Sequence, residues 1–143
     1  NLNFKPMNYV FKKARILVVE DQRIIALDLA TTINKAGHEA IGIESKGEKA
    51  IMVAEALKPD LVFMDISLSG DMDGIETASV IWKKFRIPVI YVTGNYDLNT
   101  IEKSKSANAY GYLVKPVDDC GIRTIINAAI YRHDAENFVS NLK

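Results

Sequence analysis

Glu20 and Asp21 close the apolar run Ile16-Leu17-Val18-Val19, and Asp65 closes a second, Leu61-Val62-Phe63-Met64. Two buried strands that each end in acid would set these carboxylates together at one edge of a parallel sheet. That edge, at the carboxyl ends of the strands, is where open α/β sheets bind ligands. Gathered carboxylates repel one another, and a hard cation with oxygen ligands relieves them. Mg²⁺ suits such a set because it keeps several waters and takes only a few protein ligands. Two more apolar runs, over residues 88–92 and 110–114, lead into Thr93 and Lys115. If all the strands are parallel, these groups share one crevice. Asp65, alone on its strand, can then serve as both metal ligand and nucleophile, since aspartate attacking phosphorus gives an aspartyl phosphate. Phosphoryl transfer asks mainly for positioning and for cations around spread negative charge. A divalent ion and Lys115 supply the charge, and the Thr93 hydroxyl supplies a donor.

The elements that must position these groups follow from pattern. The first strand spans about residues 15–20, a continuous apolar run of the kind parallel sheets bury on both faces. Ile25, Leu27, Leu29 and Ile33 populate the helix after it, which Gly37 stops. Residues 38–43 make a weaker, edge-side strand, and residues 48–57 a helix carrying Ile51, Val53, Ala54 and Leu57. Lys58-Pro59-Asp60 breaks that helix and launches the strand that ends at Asp65. The loop over residues 67–74 is rich in turn residues. Ile75, Ala78, Ile81 and Trp82 then recur at helical spacing over residues 75–85. After Thr93-Gly94 a short polar helix is expected near residues 98–104. Asp118 or Asp119 caps a long last helix with Ile122, Ile125, Ile126, Ala129 and Ile130 on one stripe. Five alternations of strand and helix predict a doubly wound α/β fold.

The 143 residues fit one domain with a sizeable core. The chain is 48% apolar and 25% charged, with formal net charge zero. That balance argues against non-specific binding to nucleic acid or anionic membrane. The single Cys120 excludes an internal disulfide and a multi-cysteine zinc site, and reads as a small helix residue. The opening residues lack the apolar core of a secretory signal, and no apolar stretch approaches a membrane span, so a reduced, cytoplasmic setting fits. The chain begins at Asn1 rather than Met and reads as an excerpt from something longer.

The stretches ILVVED, LVFMDISL, MDGIETA, YVTG and YGYLVKP, in this order and spacing, resemble the receiver domain of two-component response regulators. The resemblance covers residues 14 to about 133, with residues 1–13 as a lead-in where Phe4, Tyr9, Val10 and Phe11 lie. Residues 134–143 are then a helical extension. It implies a flavodoxin-like (βα)5 fold, a five-stranded parallel sheet of order 2-1-3-4-5 with helices on both faces. Asp65 would be the phosphoacceptor and Asp21 a direct ligand of Mg²⁺ or Mn²⁺. Glu20 would assist through a bound water, and the backbone carbonyl of Ser67 would complete the ligand set. Lys115 would pair with the phosphoryl group, Thr93 would report its arrival, and the Tyr112 ring would swing inward, with Gly94 leaving room. Ser67 and Asn95 occupy positions that tune hydrolysis of the acyl phosphate. The Lys115-Pro116 bond is cis in the family, as only X-Pro bonds adopt cis cheaply. By the same resemblance the partners are a histidine kinase or phosphotransfer protein and an output domain in the same or another chain. Such a domain is no enzyme in the ordinary sense, although it performs the transfer and its own slow hydrolysis. Membership in a sensor kinase chain fits as well.

Some readings stay plain. Taken singly, an acid after an apolar run is often a strand end meeting solvent, and Tyr112 a half-buried strand aromatic. Asp73 reads as a helix cap. Arg132-His133-Asp134 with Asn137 is faintly similar to the phosphoacceptor helix of a histidine kinase, but a histidine there is ordinarily surface or packing. The loop after Asp65 is one residue longer than the family's commonest form, with Ser69-Gly70-Asp71 where a Pro-containing turn often sits. One alternative is a small Mg²⁺-dependent aspartate-nucleophile phosphatase, whose second acid would stand where Ser67 does. Another is a phosphorylation-independent interaction module, whose usual mark is loss of the acidic site. Phe138, Val139 and Leu142 extend the last helix beyond a receiver core, which suggests a connection to another domain or to a dimer partner.

Overall fold

The computed structural model describes residues 12–94, 102 and 109–142. The lead-in aromatics Phe4, Tyr9, Val10 and Phe11, the short helix expected at 98–104 and Asn95 lie outside the described residues. Five strands, β1 (Arg15–Val19), β2 (Glu39–Glu44), β3 (Leu61–Asp65), β4 (Val89–Thr93) and β5 (Gly111–Val114), form one sheet in the order β2-β1-β3-β4-β5. All four pairings are parallel. Four helices are described: α1 (Arg23–Lys35), α2 (Gly47–Leu57), α3 (Gly74–Phe85) and α4 (Asp119–Asn141). This is the flavodoxin-like arrangement.

Period-two alternation sorts the strand residues between two cores. Ile16, Val18, Leu61, Phe63, Ile90 and Val92 meet Ala26, Leu29 and Ile33 of α1 and Ile122, Ile126 and Ala129 of α4. Leu17, Val19, Val62, Met64, Val89 and Tyr91 meet Ala50 and Ala54 of α2 and Ala78 and Ile81 of α3. The three inner strands are therefore apolar between their ends, as both faces demand, with Arg15 opening β1 and Asp65 and Thr93 closing β3 and β4. Edge strand β2 is only half-buried, and its pairing with β1 slips by one residue between Ile16 and Leu17.

Helix ends follow local chemistry. Asp73 Oδ1 accepts the Glu76 N–H at 2.8 Å, and Asp118 Oδ1 accepts the Gly121 N–H at 2.6 Å, capping α3 and α4. Gly37, at φ 90°, follows α1. Asp73→Ala is expected to cost about 1 kcal/mol in urea unfolding by freeing an amide at the start of α3. A change under a few tenths would show that water replaces the cap.

Two of the apolar residues read from the sequence as populating the first two helices do not serve the core. Leu27 and Leu57 are exposed, while Ala26, Leu29 and Ile33 are buried at steps of three and four. In the sequence small Ala26 and Ala54 are weak signals, yet close helix-to-sheet approach selects them. The last helix crosses residue 133 without interruption and carries its exposed end onward to Asn141.

Candidate phosphoacceptor site

The carboxyl ends of β1 and β3 lie side by side, since Val19 pairs with Met64. The next residues are therefore neighbours, and one carboxylate oxygen from each of Glu20, Asp21 and Asp65 lies within 4.8 Å of the others. Glu20 and Asp65 are buried, and Asp21 is half-buried. On the other side, β4 pairs with β3 and β5 with β4, and the Lys115 N–H donates to the Thr93 carbonyl at 2.8 Å. Lys115 Nζ donates to Glu20 Oε1 at 2.6 Å and stands 3.8 Å from Asp65 Oδ1. Thr93 ends β4 and is buried. The five residues expected to meet do meet at one sheet edge.

Three acids face one lysine, and the imbalance registers in the buried member. Burial, then a hydrogen bond with Asp65, pushes the Glu20 carboxyl up to about 7, against the opposing pull of Lys115. Asp21 moves the other way, below the usual carboxylate range, chiefly because Ser69 Oγ donates to its Oδ2 at 2.6 Å. The Ser69 N–H reaches the same oxygen at 3.3 Å. This clamp was invisible in sequence, because Ser69 and Asp21 stand far apart in the chain. A buried excess of negative charge on hard oxygen donors fits a divalent cation.

Glu20 supplies a pH prediction. Its folded value near 7 lies above the unfolded 4.5, so the folded state binds the proton more tightly. The resulting stability is fully present below about 4.5 and is lost as pH rises through about 7. Buried His38, whose imidazole is held below its usual 6.5 by desolvation, trends oppositely on the acid side. The informative quantity is thus the difference from Glu20→Gln. Without divalent cation, the parent should lose stability relative to Glu20→Gln as pH rises from 5.5 to 8, read as urea midpoints. A pH-independent difference would mean that Glu20 ionises normally.

The remaining expected residues fall as follows. The Ser67 N–H donates to Asp65 Oδ1 at 3.0 Å, tying the turn to that carboxylate, while its side chain is exposed. The Lys115-Pro116 bond is cis. A Cβ on Gly94 would touch the Lys115 side chain at 3.8 Å, an ordinary contact. Tyr112 is 37% exposed, with its ring stacked on Tyr91 at a centroid separation of 5.9 Å. Tyr91 is fully buried, and its hydroxyl has no hydrogen-bond partner among the described residues. Its apolar neighbours on β4 gave no hint of this stack, which needs the β4–β5 register to see. His133 packs against the Tyr110 ring at 5.8 Å, with Nδ1 3.3 Å from the Tyr110 hydroxyl. The same hydroxyl donates to Glu136, and Arg132 lies over the ring at 4.2 Å. His133 is a packing residue. Among the described residues, no helix is long and apolar enough to cross a membrane.

Comparison with known proteins agrees with this geometry. The family model of the response regulator receiver domain matches residues 16–127. The transcriptional regulatory protein PdtaR of Mycobacterium tuberculosis is 36% identical over 118 residues, covering 82% of this chain and 57% of that protein. The chain thus spans little more than half of that relative. Protein PilH of Pseudomonas aeruginosa is 33% identical, over 82% of this chain and 98% of PilH. Among solved structures, the signal receiver domain of a modulated diguanylate cyclase from Desulfovibrio desulfuricans superposes with a TM-score of 0.84. It is 34% identical and covers 87% of this chain and 99% of that one.

Proposed function

This chain belongs to the response regulator receiver domain family of two-component systems, and on that premise we propose that Asp65 accepts a phosphoryl group from a phosphohistidine. The observation that carries the reading is the buried Asp65 carboxylate with Glu20 and Asp21 within 4.8 Å and Lys115 Nζ at 3.8 Å. Asp65 forms a new O–P bond as the P–N bond to the donor imidazole breaks, and the imidazole leaves with a proton from solvent. Asp21, Asp65, the Ser67 carbonyl and, through water, Glu20 would hold Mg²⁺ or Mn²⁺. A bound divalent ion supplies positive charge to the phosphoryl oxygens. Lys115, already directed into the cluster, exchanges its contact with Glu20 for one with the phosphoryl group. The Thr93 hydroxyl donates to a phosphoryl oxygen, and Tyr112 follows it inward. Such a change is a shift between two arrangements, driven by what phosphate binds better.

The partners are a histidine kinase or phosphotransfer protein and an output domain, in a cytoplasmic setting. Ser67 leaves the phosphatase alternative without its second acid, and the complete acidic site speaks against a phosphorylation-independent module. The test is intact mass after incubation with acetyl phosphate. One added phosphoryl group with Mg²⁺, and none with chelator, is the expected result. An unmodified, folded, Mg²⁺-saturated protein would overturn it.

A further inference from the structure

Each carboxylate of the acid cluster has its own hydrogen-bond donors. Glu20 takes Lys115 Nζ at 2.6 Å on Oε1 and the Gln22 N–H at 3.2 Å on Oε2. Asp65 takes the Ser67 N–H at 3.0 Å on Oδ1. Asp21 takes Ser69, with the hydroxyl at 2.6 Å and the N–H at 3.3 Å, both on Oδ2. Asp21 stands beyond the end of β1 and is the least buried of the three. Strand pairing therefore does not fix its side chain, and packing does so only in part.

Ser69 is itself placed by its neighbours. Leu68 is buried in the core that α2 and α3 share with the sheet, which pins the chain one residue earlier. Gly70, at φ 109°, turns the chain one residue later. The Ser69 side chain is exposed, so the bond to Asp21, and not burial, is what it gains by standing there. A proline in this turn would bring neither an N–H nor a hydroxyl.

We propose that Ser69 is a positioning residue for the divalent cation: its hydroxyl holds the Asp21 carboxylate ready to ligate the ion, and the cation affinity of this chain depends on it. The proposal rests on the reading of the acid cluster as a divalent-cation site.

Three points of chemistry favour it. Both serine donors fall on Oδ2, so Oδ1 is not spent on them. Mg²⁺ demands near-ideal octahedral geometry from few protein ligands, so a carboxylate ordered in advance spares the ion the cost of ordering it. A serine is also neutral. Lys115 holds Glu20 by cancelling charge, whereas Ser69 holds Asp21 and leaves its full negative charge to attract the cation. Removing the hydrogen-bond partner of a metal ligand commonly weakens the metal about 10- to 100-fold, and an exposed partner belongs at the lower end.

Mn²⁺ is the probe, since the free ion is read directly by electron paramagnetic resonance with no phosphodonor present. The parent should bind it, and Ser69→Ala should bind it about tenfold more weakly. Ser69→Thr, which keeps the hydroxyl, should stay close to the parent. With acetyl phosphate, Ser69→Ala should need about tenfold more Mg²⁺ for half-maximal phosphorylation, yet reach the parent's rate at saturating Mg²⁺. Equal Mn²⁺ affinity in Ser69→Ala and the parent would overturn the role of Ser69 and leave the cation site standing. Tighter binding by Ser69→Ala would also overturn it, by showing that the serine competes with the ion. Equal losses in Ser69→Ala and Ser69→Thr would do the same, by assigning the effect to loop shape. A parent that binds no Mn²⁺ would overturn the cation site itself, and the role of Ser69 with it.

Discussion

An Asp65→Asn protein is expected to take up no phosphoryl group and, at pH 8 without divalent cation, to resist urea better than the parent. The amide oxygen is no nucleophile toward phosphorus, so uptake measured by intact mass should fall to background. The stability gain comes from the crowding of acids. Asp65 is one of three carboxylates within 4.8 Å, and its contact with Glu20 ranks second, after burial, in raising that carboxyl. Removing the charge lets Glu20 ionise more easily beside Lys115, 2.6 Å away. The amide still accepts the Ser67 N–H, so the turn after β3 is kept. A gain of about 1 kcal/mol is expected, less than the full Glu20 shift because burial persists. Divalent cation should then stabilise the variant less than the parent. Undiminished uptake would place the nucleophile elsewhere. A loss of stability at pH 8 would mean that the attraction between Asp65 and Lys115, 3.8 Å apart, outweighs the repulsion.

Gly74→Ala is expected to be the most damaging single methyl in the molecule. A Cβ at this first residue of α3 would lie 2.0 Å from the Asp65 carbonyl oxygen, 3.0 Å from its carbon and 3.2 Å from Ile66 Cα. All three are backbone atoms of the strand end that carries the nucleophile, so no side chain can turn aside. Relief requires α3 to lift off β3, opening the contacts of Ala78 and Ile81. Small-to-large changes in packed interiors usually cost 1–3 kcal/mol, and this one should reach about 3 kcal/mol or more in urea unfolding. Gly47→Ala offers a control. Its Cβ would meet Thr77 Oγ1 at 2.1 Å, a side-chain atom, with Met72 Cγ and the Met72 carbonyl beyond 3 Å. Rotating the Thr77 hydroxyl gives up its 2.7 Å bond to the Asp73 carbonyl but moves no strand, so the cost should be smaller. Equal costs would show that α3 is free to shift as a body.

Gly74 also marks how far the sequence could be read. The strands were legible because residues buried on both faces leave continuous apolar runs, and Asp65 and Lys115 stood out as polar ends of such runs. Edge strand β2, with Glu39 exposed and a slip opposite Leu17, left a fainter trace, as half-buried strands do. The acids' convergence followed once every strand was taken as parallel. Ser69 gripping Asp21, Tyr91 beneath Tyr112 and Tyr110 bonded to Glu136 were not legible. Each joins residues distant in the chain through a rotamer or a register that no local pattern encodes. Gly74 sat in a motif, but only the 2.0 Å approach to Asp65 gives the reason for its missing side chain.

That approach has a consequence for chain length. Asp65 and Gly74 touch through backbone, so the segment between them is a loop whose two ends are already closed by the fold. The entropy of closing such a loop grows only logarithmically, about 0.6 kcal/mol per doubling of length. Ser69 fixes the near half to Asp21, whereas Gly70, at φ +109°, has nothing within 4 Å of where a Cβ would stand. Extra residues entering between Gly70 and Asp71 are therefore extruded into solvent, with no mechanical route back to the carboxylates. The position is the natural point for accepting a guest segment, a small fluorescent tag or an epitope, while the acid cluster stays where the sheet put it.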